Sequence, residues 1–132
     1  MNFTIIPESW TPGLTAALRI MTGLLFLEHG SGKLLHFPAM PGVDQMPSLL
    51  LYSTGLLELV GGALITIGLF TRPVAFVLAG NMAVAYFMAH FPNSFFPALN
   101  RGDAAVLFCF VFLFFAAAGP GRWSVDEVVS RA

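Results

Sequence analysis

Four apolar stretches limit what this chain can fold into: about 12–29, 48–70, 73–91 and 103–118. Bilayer hydrocarbon is ~30 Å thick and a helix rises ~1.5 Å per residue, so a span needs ~20 mostly apolar residues. Arg19 interrupts the first stretch and Glu58 sits inside the second. The third carries no formal charge apart from His90 near its end, and the fourth is short and aromatic. Of the 132 residues, 57% are hydrophobic and 10% charged, with a mean hydropathy of +0.80. A soluble domain of that composition has too few polar residues to cover its outside. The expectation is an all-α integral membrane four-helix bundle, with 1–132 as one domain and the lipid bilayer as its surroundings.

The segments between the stretches agree. "FPAMPGVDQMP" (Phe37 to Pro47) holds three prolines and a glycine and cannot continue a helix in either direction. "GLFTRPV" is a tight connection, with Thr71 as a candidate cap and Pro73 early in the next helix. In "FPNSFFPALNRGD", Asn100 is a candidate N-cap, with Asp103 three positions later at the positive helix end. "GPGR" stops the fourth span. "SVDE" (Ser124 to Glu127) reads as the capping box of a short terminal interfacial helix, with Val125, Val128 and Val129 as its apolar stripe. The opening "MNFTIIPESW" has no Lys or Arg, which argues against a cleaved signal peptide.

Four spans place both termini on one side. That side carries Arg72, Arg122 and Arg131, and the other carries Lys33 and Arg101. The positive-inside rule then favours cytoplasmic termini. By depth, Lys33, His36, His90, Asn93, Asn100, Arg101 and Asp103 fall at the outer face. Glu28 and His29 lie just beneath it, and Arg19, Glu58 and Asn81 lie nearer mid-membrane.

Arg19 and Glu58 are each expensive in hydrocarbon, by ~2.5–3.5 kcal/mol for Arg on insertion scales. The economical arrangement is a buried pair facing the bundle interior, either an inert register-fixing ion pair or a polar floor beneath a ligand pocket. At ~100° per residue, Lys33 falls within ~40° of Arg19 around the first helix, together with Phe26 and Gly30, whereas Glu28 lies ~180° away. Either the helix bends near Gly30 and Gly32, or Glu28 faces a different neighbour, such as a second subunit. Glu28, His29, Lys33 and His90 are the candidate ligand-binding set, a polar mouth over an apolar pocket. The alternative is an interfacial collar with Lys33 snorkelling. Asn81, Asn100, Arg101 and Asp103 are supporting polar residues, Asn81 in position to hydrogen-bond across helices. Ala75, Ala79 and Ala83 form a small-residue packing ladder.

Several chemistries lack their residues. His29 and His90 have no further ligands at metal spacing, so no metal site is expected. Cys109, in "FCFVFLFF", is the single cysteine and reads as a packing residue. GxGxxG, P-loop, HExxH and G-x-S-x-G patterns do not occur. A net charge of -1 offers no strong attraction to nucleic acid, and none is expected as a partner.

"LRIMTGLLFLEHGSGKLLHF", "GLLELVGGALITIGLFTRPVAFVLAGNMAVAYFMAH" and "NRGDAAVLFCFVFLFFAAAGPGRWSVD" together resemble the DoxX family. The likeness covers about Leu18 to Glu127. Its most specific parts are the first-helix Arg with a following HG-x-x-K, L-E-L-x-G-G followed by G-L-x-T-R, and the closing G-P-G-x-W-S-x-D. The resemblance implies a small four-helix protein of the bacterial inner membrane, associated with quinol oxidation, thiosulfate–quinone chemistry or redox-stress complexes, as a subunit of an oxidoreductase. Arg19, His29, Lys33 and Glu58 match the family's polar positions. Asp103 stands in "NRGD" where many relatives carry Glu. A quinone is the ligand this suggests, although the sequence itself names no cofactor. Three readings stay open: a redox-associated subunit binding a small ligand near the outer face, a non-catalytic scaffold that forms a homo-oligomer or docks a redox partner protein, and a small-solute or proton conductor.

Overall fold

The computed structural model describes residues 4–131, so Met1–Phe3 of the opening segment and Ala132 lie outside it. The helices are α1 (Thr11–Leu35), α2 (Ser48–Ile67), α3 (Thr71–Ala85), α4 (Pro97–Asn100), α5 (Asp103–Ala118) and α6 (Val125–Ser130). No strand occurs among the described residues. α3 continues through a wide π turn (Tyr86–His90) and a 3-10 turn (Phe91–Asn93). Three helical segments are long and apolar enough to cross a membrane: Glu8–Leu35, Ser48–Ile67 and Thr71–Asn93. α5 is apolar but has 16 residues, a rise of ~24 Å. The protein is an all-α membrane protein, as its hydropathy requires.

α1 packs chiefly on α2, and α3 on α5. Glycine is what lets α1 and α2 approach: a Cβ at Gly62 would lie 2.5 Å from the Leu27 amide nitrogen, and one at Gly30 would overlap the Leu59 backbone. Small residues at such crossings bring helix backbones together where lipid supplies no hydrophobic drive. The two pairs meet over a core of Phe26, Ile65, Leu78, Met82, Phe112 and Phe115. Phe26 stacks edge-on to Phe112 at 4.9 Å. Ala75 and Ala79 of the small-residue ladder are buried in this core, and Cys109 packs half-buried against it.

Several boundaries differ from expectation. α1 runs to Leu35, well past His29. α2 stops at Ile67, where Gly68 adopts φ 72° and its N–H reaches the Leu64 carbonyl at 2.9 Å. Thr71 is the first residue of α3 and not its cap; Asp126 from α6 accepts the N–H groups of Phe70 and Thr71, both at 2.8 Å. Asn100 does not cap the last span either. α5 starts after Gly102, and the Asn100 side chain instead accepts the Gly102 N–H at 2.7 Å, closing the turn before it. The Ser124 cap is present, with the Glu127 N–H donating to Ser124 Oγ at 3.2 Å.

Candidate functional site

Two clusters of polar side chains occupy opposite ends of the bundle. At the end holding the described termini, Arg19 is fully buried. It does not pair with Glu58. Its Nε donates to Pro120 O (2.8 Å), Nη1 to Ile65 O (2.9 Å) and Thr66 O (2.7 Å), and Nη2 to Arg122 O (3.2 Å) and Trp123 O (2.8 Å). A guanidinium has five N–H donors, so each is matched to one carbonyl. Ile65 and Thr66 lie at the C-terminal end of α2 and Pro120 just beyond α5, where helix dipoles are negative. The charge is thus compensated by backbone.

The expected Arg19–Glu58 pair fails on register. Because α1 extends to Leu35, its antiparallel pairing puts Gly30 against Glu58 and Leu59, and Arg19 against Gly68. Arg19 and the residue facing Glu58 are eleven positions apart on α1, a separation of ~16 Å. Arg72 serves α5 in a similar way, donating to the Ala116, Ala117 and Ala118 carbonyls. Burial works against ionisation of Asp126, but the bonds from Thr71 and Phe70 and the nearby Arg19 charge outweigh it. Its carboxyl is held below the ordinary carboxylate value.

At the other end, Lys33 takes Glu58. Its Nζ lies 2.6 Å from Glu58 Oε1 and 3.2 Å from Thr54 Oγ1. Both side chains line a cavity of about 350 Å³ between the helix pairs. Phe26, Met82, Met88, Ala105 and Phe108 supply apolar wall. His29, Asn81, His90 and Arg101 supply the remaining polar lining, with Thr54. Burial leaves two atoms here without a hydrogen-bond partner among the described residues, Glu58 Oε2 and Asn81 Nδ2. Asn81 therefore makes no bond across the helices through its amide nitrogen.

Both histidines have a fixed ring orientation. His29 Nδ1 lies 2.8 Å from Leu25 O, and His90 Nδ1 lies 3.0 Å from Asn100 O. A carbonyl only accepts, so Nδ1 carries the proton and Nε2 is left as an acceptor in the neutral ring. Asn100 lies outside the cavity lining but holds His90 through its carbonyl; its amide donates to Ser94 O (2.9 Å) and Tyr86 Oη (3.3 Å). Tyr86 stacks on His90 within the π turn.

Of the candidate ligand-binding set, His29, Lys33 and His90 converge on the cavity. Glu28 does not: it is exposed on the outside of α1, as the helical angle to Arg19 requires, and the helix does not bend to bring it in. Asp103 is exposed at the start of α5 and also outside the lining. Sequence reasoning gave Glu58 the wrong partner and missed Thr54, Met46 and Met88. A signal for Lys33–Glu58 was present, since Lys33 shares the interior face with Arg19. No group of three or more metal-ligating side chains occurs among the described residues.

The family model described as DoxX matches residues 14–91. An uncharacterized protein of Haemophilus influenzae is 40% identical over 91% of this chain and 93% of its own length. An uncharacterized membrane protein of Mycobacterium tuberculosis is 28% identical over 91% of this chain and 83% of its own. A Bacillus subtilis protein named "Putative oxidoreductase CatD" is 38% identical over 49% of this chain and 51% of its own. No solved structure matches.

Proposed function

The chain belongs to the DoxX family, and on that premise we propose that it is a redox-associated membrane subunit whose cavity binds a quinone or another small apolar ligand with polar substituents. The observation that carries this reading is the pair of unpartnered buried atoms, Glu58 Oε2 and Asn81 Nδ2, in an otherwise mostly apolar cavity. A buried polar group without a partner costs ~1–3 kcal/mol, so a ligand that supplies both partners recovers that cost. The volume is within the range of small-molecule sites. Redox resemblance adds support through the name of the Bacillus subtilis relative.

The residues fit an oxygen-bearing ring. Asn81 Nδ2 donates to a ring oxygen, and Glu58 Oε2 accepts from a hydroxyl, which the quinol form carries and the oxidised quinone does not. His29 Nε2 and His90 Nε2 are further acceptors, and Lys33 holds the Glu58 carboxylate in place. A bound quinone supplies the electron-carrying chemistry, for which the cavity-lining side chains offer no redox group of their own. Glu58, paired with Lys33, replaces Glu28 as the residue placed to hold or pass a proton. The setting is the bacterial inner membrane with cytoplasmic termini, so the cavity lies toward the outer face.

The test is ligand retention. Purified protein should release a quinone or similar apolar molecule on solvent extraction, or bind a quinone analogue. Asn81→Leu and Glu58→Gln should weaken that binding at least tenfold with the bundle intact. Ligand-free protein that binds no analogue overturns the reading.

A scaffold reading draws on one observation. Glu28 is exposed two turns inside the end of α1, on the side away from the bundle, without a partner among the described residues. A neighbouring subunit carrying a cation would relieve it. Conduction by one chain finds less support, because the buried Phe112 and Phe115, outside the cavity lining, fill the bundle centre and the Arg19 cluster occupies the far end.

A further inference from the structure

On the end away from the cavity, a groove of about 370 Å³ runs between the start of α1 and the loop before α6. Ser9, Trp10, Leu14, Arg122 and Trp123 line it. Its floor is Gly13, where a Cβ would stand 3.9 Å from Trp123 Cη2.

The loop that carries Arg122 and Trp123 is pinned from both sides. Arg122 N–H donates to Pro12 O at 3.2 Å. The Arg122 and Trp123 carbonyls are held by Arg19, and Trp123 N–H donates to Glu127 Oε2 at 3.1 Å. Trp123 is held in the left-handed region at φ 54°, a conformation unfavourable for a bulky residue. Strain of this kind persists where surroundings over-determine it, and it tends to mark places where a side chain is presented. What is presented here is a large aromatic 67% exposed, opposite Trp10 at 60%.

Charge distinguishes Arg122 from its neighbours. Arg19 and Arg72 are spent on backbone carbonyls, and Arg131 pairs with Glu127 at 2.5 Å. Among the described residues, the Arg122 guanidinium makes no hydrogen bond or ion pair, and it is the one charged group lining the groove. Glu8 lies on the preceding turn, outside the lining. Indoles settle at the headgroup level of a bilayer, which places the groove at the membrane boundary. The exposed Val128 and Val129 of α6 set an apolar edge at the same end.

We propose that this groove binds the headgroup of an anionic phospholipid, with Arg122 on the phosphate and Trp10 and Trp123 flanking the glycerol region. A guanidinium matches phosphate bidentately, and the two indoles present apolar bodies to the upper acyl chain. The proposal is independent of what occupies the cavity.

The chain has two tryptophans, and both flank this groove. Tryptophan fluorescence therefore reports on it directly. The protein is reconstituted into phosphatidylcholine vesicles doped, at equal mole fraction, with either brominated phosphatidylglycerol or brominated phosphatidylcholine. The expected result is stronger quenching by the phosphatidylglycerol probe. The preference should correspond to about fivefold tighter association, the ratio given by about 1 kcal/mol of attraction per basic residue near an anionic surface. Arg122→Gln should bring the two probes level at unchanged helicity and melting temperature, Arg122→Lys should keep part of the preference, and Arg131→Gln should leave it intact. Equal quenching in the unmodified protein overturns the site. So does a preference that survives Arg122→Gln, which would assign the attraction to the face as a whole.

Discussion

The two ends of the bundle use buried charge in opposite ways. At one end, Arg19 spends all five donors on carbonyls from two segments of chain, the end of α2 and the loop between α5 and α6. At the other, Lys33 and Glu58 satisfy each other through one oxygen, and Glu58 Oε2 and Asn81 Nδ2 have no partner among the described residues beside a cavity. A satisfied network rigidifies and a partly satisfied one is costly, because low dielectric magnifies both. On the proposed reading, the contrast separates a structural tie from a site that receives a ligand. Charge in a membrane span is not by itself a sign of function; the count of matched donors and acceptors is what distinguishes the two ends.

That contrast can be broken by substitution. Arg19→Ala should have the largest effect, about 4 kcal/mol or more, since it bares five carbonyls at once; a thermal unfolding series in detergent measures it. A loss under about 1 kcal/mol would remove Arg19's role as a tie. Lys33→Met should cost about 3 kcal/mol by stranding the Glu58 carboxylate, and Lys33→Met with Glu58→Gln should cost less than the two single changes added together. Strict additivity would mean that the ion pair carries no coupling. Gly62→Ala should cost about 2 kcal/mol by forcing α1 and α2 apart, and should loosen both ends.

Smaller effects sharpen the comparison. Asp126→Ala should cost about 1 kcal/mol, because two N–H groups at the start of α3 lose their acceptor. The Asp126 carboxyl titrates below its unfolded value of ~3.9. Its contribution is therefore fully present above about pH 4 and is lost as pH falls through the lower folded value. The acid limb of an unfolding profile should flatten in the variant. Glu28→Gln should change bundle stability by less than about 0.5 kcal/mol and leave cavity binding unchanged, since Glu28 faces outward.

Much of the fold was legible because hydrophobic runs and Pro/Gly breaks act locally. The all-α helical make-up and the Ser124 cap follow from composition and capping chemistry. The 3.6-residue period, by contrast, left Glu28 either facing outward or brought in by a bend, and its place in the candidate ligand-binding set is corrected by its exposure. Register was not local. The end of α1 looked like His29 because Glu28 and His29 are polar, yet Gly30 and Gly32 continue the helix against α2. That six-residue extension moved Arg19 from Glu58 to Gly68 and brought Lys33 to Glu58. The carbonyls that hold Arg19 are backbone groups, which side-chain identity does not reveal. The approach of His29, Lys33 and His90 was inferable from depth alone, whereas the place of Asn100 behind His90 depends on the turn that its own side chain closes.

The most direct test of the account is Asn81→Leu, measured for stability and for quinone-analogue binding on the same preparation. If Asn81 Nδ2 is left unpartnered for a ligand, replacing the amide with an apolar side chain of similar size removes a buried cost. The ligand-free protein should then gain about 1 kcal/mol while losing binding at least tenfold. A variant that is less stable than the original and still binds the analogue normally would contradict the account, because the cavity end would then be held together by the very group assigned to its ligand.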